Sequence, residues 1–192
     1  MARITKDKAI TVDGNTWWVN SRPSGLFIPC IITMIRQIDA MLSHHNKVHL
    51  LRFDLRLYRY TPKNTIITEF NKRFHKWLRR KHKLKRVGFL WCREQETQIN
   101  QHYHCALMID GNKVRFPDKL IQKIKEIWNE HLQGSAYIPQ HCYYNLSRND
   151  YTTIQNAIWR ISYLAKVRSK GGKPTQTKNF NTSRIKKRTE AN

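Results

Sequence analysis

The chain is poor in acid. Its 192 residues hold 13 Asp and Glu against 36 Lys and Arg, a formal net charge of +23. Such self-repulsion does not help a compact fold. It points outward to a polyanionic partner, nucleic acid first and anionic lipid second. Cysteine is also sparse: Cys30, Cys92, Cys105 and Cys142 stand far apart in apolar surroundings, with no CxxC pair. That argues against a disulfide frame or structural zinc site and for buried reduced thiols. No apolar run approaches the length of a membrane span, and residues 1–13 lack a signal-peptide core, so a cytoplasmic protein with no membrane partner is expected. A P-loop is missing too.

What is there centres on Gln101-His102-Tyr103-His104-Cys105-Ala106-Leu107-Met108-Ile109. Side chains alternate across a strand, so His102 and His104 share one face, while Tyr103, Cys105, Leu107 and Ile109 share the other, which reads as core. Two imidazoles side by side can grip a divalent ion. They can equally be two polar residues at a sheet surface.

The rest of the chain supplies a fold for that strand. Residues 1–46 read as an arm with a turn at Asp13-Gly14-Asn15, a short strand at Thr16–Val19 and a helix over Leu26–Leu42 lying outside the main sheet. A strand from Leu50 alternates Leu51, Phe53, Leu55 and Leu57 with Arg52, Asp54 and Arg56. A helix over Thr65–Lys83 buries Ile67, Phe70, Phe74, Trp77 and Leu78, and its outer face is almost all cationic. Strands follow at Val87–Glu94 and His102–Ile109, joined as a hairpin, then a helix from Pro117 to Gly134, a strand over His141–Leu146, and a helix from Asp150 to Val167. The order predicts an α+β fold: a ferredoxin-like, split βαβ antiparallel sheet over residues 47–167 with helices on one face. The other face is left open and carries Arg52, Asp54, Arg56, His102 and His104. Residues 168–192, rich in Lys and Arg, read as a disordered tail.

A simple hairpin register puts Glu94 across from His102 and so on the histidine face, with Glu96 as the fallback if the strand is bulged. A carboxylate with two imidazoles suits Mg2+ or Mn2+. Cys92 is a further possible donor. On the last helix, Ile154, Ile158, Ile161 and Ala165 form the core stripe. Tyr163 lies opposite it, with Lys166 three residues on. This tyrosine is either a plain surface residue or a nucleophile with a lysine beside it. Tyr143, Tyr144 and Tyr151 are the backup nucleophiles.

His102-Tyr103-His104 resembles the HUH motif, and Tyr163-Leu164-Ala165-Lys166 resembles the Y-x-x-K motif of single-tyrosine HUH endonucleases that initiate rolling-circle replication. Within these, the stretches around Trp91–Glu94, His102–Leu107 and Tyr163–Lys166 resemble the YagK/YfjJ type found in phages and prophages, related to the gene II replication proteins of filamentous phages. The likeness covers roughly residues 47–170. It implies a metal ion held by His102, His104 and an acid, here Glu94. It also implies attack by Tyr163 on single-stranded DNA at an origin hairpin or nick site. The product would be a 5′-phosphotyrosine link and a free 3′-OH for a host polymerase, with a separate helicase. Arg52 and Arg56 would steer the strand, and Trp159 or Tyr143 would stack bases. Only one tyrosine is available on the helix, since Trp159 and Val167 occupy the flanking positions four residues away.

Three rivals remain at this level. An open sheet with basic and aromatic residues also describes a non-catalytic single-strand-binding module, although no RNP-type aromatic pair is evident. A former enzyme kept as a regulator of a mobile element is the second. A zinc hydrolase without a covalent step is the third.

Overall fold

The structure, a computed structural model, describes residues 4–95, 101–167 and 177–189. It is an α+β fold with antiparallel sheets. Two short ribbons open the chain: β1 (Ile4–Thr5) pairs with β4 (Leu26–Phe27), and β2 (Ala9–Val12) pairs with β3 (Asn15–Trp18). Helix α1 (Ile28–His44) follows, then β5 (Lys47–Leu57), α2 (Thr65–His82), β6 (Gly88–Gln95), β7 (Gln101–Asp110) and α3 (Asp118–Lys125). A π-helical segment, Glu126–His131, continues α3. Then come β8 (Ser135–Tyr137), β9 (Tyr143–Ser147), α4 (Tyr151–Ser162), a 3-10 turn at Tyr163–Ala165 and β10 (Phe180–Thr182).

The main sheet runs β10-β6-β7-β5, and both β8 and β9 pair with the far edge of β5. Strands β5 and β7 therefore sit in the middle, as the strand-helix-strand-strand pattern predicts. The core face carries Leu51, Phe53, Leu55, Tyr103, Cys105 and Leu107, packed against Phe70, Phe74 and Leu78 of α2 and against Leu120, Ile124 and Trp128. Behind that sheet the chain turns tightly at Gly134, where a Cβ would lie 2.2 Å from Trp128 Nε1 and 2.7 Å from the Arg56 carbonyl oxygen. Only glycine fits between them.

The second face departs from the expectation of an open surface. Half of it is covered: Val48, Leu50, Leu90, Ala106 and Met108 form a second core with α1 and α4. The reason lies in the strands, whose second face is apolar at one end and turns charged from Arg52 onward. Helix α1 is thus part of the sheet's packing and not outside it. The arm, too, is integral: Tyr151 Oη donates to the Thr16 carbonyl oxygen, and Gln155 bridges Trp18 N and O, both at 2.9 Å.

The tail also differs. Residues 177–189 are ordered. β10 pairs with β6, and Gln37 of α1 accepts from Ser183 Oγ at 2.7 Å and from Ile185 N at 3.1 Å. A short β-strand and side-chain-to-backbone bonds outweigh the basic composition there; the remainder of 168–192 lies outside the described residues. All four cysteines are buried and free, as expected. Among the described residues no helix is long and apolar enough to cross a membrane.

Candidate active site

At the charged end of the second face the register brings the motif residues together. Glu94 pairs with His102 and Cys92 with His104 across the β6–β7 hairpin, the register expected from strand parity. On the other side of β7, Asp54 pairs with His104 and Arg56 with His102. His104 is the hub. Its Nδ1 lies 2.8 Å from Asp54 Oδ1 and its Nε2 lies 2.5 Å from Glu94 Oε2. Burial alone would lower the imidazole pKa, but the hydrogen bonds to Asp54 and then Glu94 outweigh it and lift the pKa to about 9. With its pKa raised in this way, His104 can donate to both carboxylates.

Tyr163 stands over this hub. Helix α4 stops at Ser162, short of the expected Val167, and the 3-10 turn aims the tyrosine ring edge-on at His104, with centroids 5.7 Å apart at 86°. Two cations flank the ring, Arg52 Cζ at 4.7 Å and Lys166 Nζ at 4.9 Å from its centroid. Arg52 is 6% exposed and lies 3.7 Å from Asp54. Burial lowers its pKa, opposed by Asp54. The Lys166 ammonium donates to the Arg22 carbonyl oxygen at 2.9 Å; its pKa is lowered by burial and next by Arg52. The arm clamps this turn. Val167 N donates to the Gly25 carbonyl oxygen, and Asn20 N donates to Ser162 Oγ. A cavity of about 70 Å3 is lined by Tyr163, Lys166, His104, Glu94, Cys92 and Ser24, room for an ion or a few waters.

The donor chemistry fits a divalent ion in part. A carboxylate on Nδ1 is the usual device that fixes the tautomer presenting Nε2 to a metal, and Asp54 provides it. Nε2 already faces the Glu94 carboxylate, and His102 is next on the same face. Yet among the described residues no three His, Cys, Asp or Glu side chains are grouped so as to hold a metal ion. Glu94 and His104 close on each other instead. Cys92, the other donor considered, is 1% exposed and its Sγ lies 3.3 Å from Cys30 Sγ. Glu96 lies outside the described residues.

The remaining expected residues divide. Arg56 reaches the site face and lies 4.9 Å from the centroid of Tyr137. Trp159 is exposed on α4, one turn before Tyr163. Tyr143 is a correction: it pairs with Leu51 and stacks on His49, on the opposite side of the sheet from His104. Tyr137, paired with Asp54, takes that place on the site face and is 47% exposed. Sequence reading missed it because Ser135-Ala136-Tyr137 is too short to show alternation. It saw Asp54 on the right face but gave it no role, since the contact with His104 depends on the β5–β7 register, 50 residues away in the chain.

Comparison with known proteins yields one family match. No curated protein and no solved structure matches the chain. The model of one family, the YagK/YfjJ C-terminal domain, matches residues 15–183, a span that runs from β3 through β10. The chain belongs to the YagK/YfjJ C-terminal domain family.

Proposed function

We propose that this protein is a single-tyrosine HUH endonuclease that nicks and rejoins single-stranded DNA to initiate rolling-circle replication of a phage or prophage. The observation that carries the reading is the position of Tyr163: one ring, flanked by Arg52 and Lys166, set edge-on to a histidine that bridges Asp54 and Glu94. The strand order β6-β7-β5-β9, with α2 and α3 on one face, supports the ferredoxin-like form of that reading.

A scissile phosphate over His104 would be met by Arg52 and Lys166, which hold its oxygens and the charge that builds on them. The Tyr163 oxygen attacks phosphorus in line. The Tyr163 O–P bond forms and the P–O3′ bond breaks, giving a 5′-phosphotyrosine and a 3′-OH. The phenol gives up one proton and the departing 3′ oxygen takes one. Attack by a 3′-OH reverses the step and rejoins the strand. His102, His104 and Glu94 are the residues that would hold an Mg2+ or Mn2+ ion, which would supply Lewis-acid stabilisation of the phosphate. Asp54 orients His104 from behind. Arg56, Tyr137 and Trp159 offer a cation and two stacking surfaces for the flanking nucleotides.

A second reading, a non-catalytic single-strand-binding module, is favoured by one observation: the closed His104–Glu94 contact, which leaves no three-donor site among the described residues. Single-stranded oligonucleotides from the protein's own genetic element, labelled at either end and resolved on a denaturing gel, separate the two. The nickase cleaves with Mn2+, carries the 3′ fragment covalently, and loses both with chelator and in His104→Ala. Salt-sensitive binding without cleavage of any strand supports the module instead.

A further inference from the structure

The helical side of the molecule, away from Tyr163, carries a second cationic feature. A groove of about 760 Å3 runs between α2 and the α3–π segment. Arg73, Lys76, Arg80, Lys81, Lys83 and Lys123 line it, against the single acid Glu126. On α2, Arg73, Lys76 and Arg80 recur at helical spacing, so they form one stripe about 10 Å long. Glu69 neutralises Arg73 in part, and Glu126 pairs with Lys123 and His131. Among the described residues Lys76, Arg80 and Lys81 have no acidic partner, and all three are exposed.

We propose that this groove binds the phosphate backbone of duplex DNA, so that the protein holds single strand on the sheet face and double strand on the helix face. The proposal extends the nickase reading by assigning the DNA next to the nick. Charge makes the partner a polyanion; the aromatic groups decide which one. Single-strand binders need exposed rings on which bases stack. On the site side such rings are Tyr137, Trp159 and Tyr163; Phe116 and Tyr143 are exposed elsewhere, but neither lines the groove. The groove has two aromatic groups: the His131 imidazole is engaged by Glu126, and the Trp77 ring is covered by Phe74, stacked at 10°, and by the edge of His82. No Asn or Gln lines the groove to read base edges. Cations without a free stacking platform are the equipment for binding a phosphate backbone.

The test uses the full chain, a blunt duplex and a thymidine homopolymer, with affinities measured by fluorescence anisotropy across a salt series. Lys76→Glu with Arg80→Glu changes two exposed side chains, and circular dichroism checks the fold. The duplex affinity is expected to fall about tenfold or more, and the slope of log affinity against log salt by about 2. Affinity for the homopolymer changes by no more than about twofold by the same counting, since its contacts lie on the other face. Unchanged duplex binding overturns the proposal. So does an equal loss on both ligands, which would mean a diffuse electrostatic effect. Cleavage is not the readout, so a chain that fails to nick can still pass or fail this test.

Discussion

Tyr103, the middle residue of the His-Tyr-His motif, faces away from the site, and Tyr103→Phe measures what that hidden side contributes. Its hydroxyl accepts from Gln101 Nε2 at 2.8 Å and donates to Asn64 Oδ1 at 3.0 Å. Burial pushes its pKa up to about 12, so it stays a neutral hydroxyl. The ring is fully buried, edge-on to Trp91 at 5.6 Å and to Trp128 at 6.4 Å, and phenylalanine preserves both contacts. Neither polar partner is orphaned by the change. Gln101 Nε2 still donates to Thr61 Oγ1, and Asn64 Oδ1 still accepts from Arg93 Nη1. The cost is therefore that of two neutral hydrogen bonds with partial compensation, about 1–2 kcal/mol, and not that of an unsatisfied buried group. For a chain of this size the melting midpoint should fall by about 3–6 °C. Because Tyr103 points to the α2–α3 core, cleavage assayed well below the midpoint should match the wild type. Differential scanning calorimetry and the cleavage assay together check this. An unchanged midpoint would refute the buried network. A loss of cleavage without unfolding would refute the assignment of faces along β7.

Two further outcomes follow from the same geometry. Asp54→Asn keeps an acceptor for His104 Nδ1 but removes the charge that orients it, and should weaken Mn2+ binding about 10- to 100-fold, read by titration calorimetry on protein whose melting midpoint is checked alongside. His75 of α2, packed on Phe89 of β6, has its pKa lowered from 6.5 to about 4, mainly by burial and next by Arg79. The unfolded chain takes up this proton as pH falls through 6.5 while the folded chain resists until about 4. The contribution of neutral His75 is therefore full above 6.5 and lost between 6.5 and 4. The shift sets a ceiling of about 3 kcal/mol, roughly half of it remaining after solvent screening. Urea unfolding of the wild type and His75→Leu at the two ends of that window should show a flatter pH dependence in the variant.

The β6–β7 hairpin was legible because parity alone decides which side chains share a face. Glu94 across from His102 needed only a short loop and alternation. Tyr163 was legible through helical spacing against Ile154, Ile158 and Ile161. What depended on contacts between distant segments was not. The half-covered second face follows from Leu50, Leu90 and Met108 meeting α1, and the charged half of β5 drew attention away from its apolar half. The face that Tyr143 takes was not legible, because one residue of register in β9 reverses every side chain. Composition hid β10, since a three-residue strand in a basic stretch has no pattern of its own. The role of the arm was equally hidden: its hold on the Tyr163 turn runs through backbone atoms of Asn20, Arg22 and Gly25, which no side-chain pattern reports.

The central claim is that Tyr163 takes the DNA. Peptide mass spectrometry of the protein after incubation with single-stranded substrate and Mn2+ tests it at the atom concerned. The account predicts a 5′-phosphonucleotide adduct on the peptide that contains Tyr163, absent from Tyr163→Phe. An adduct on Tyr143, Tyr144 or Tyr151, or cleavage of the strand with no adduct at all, would contradict it.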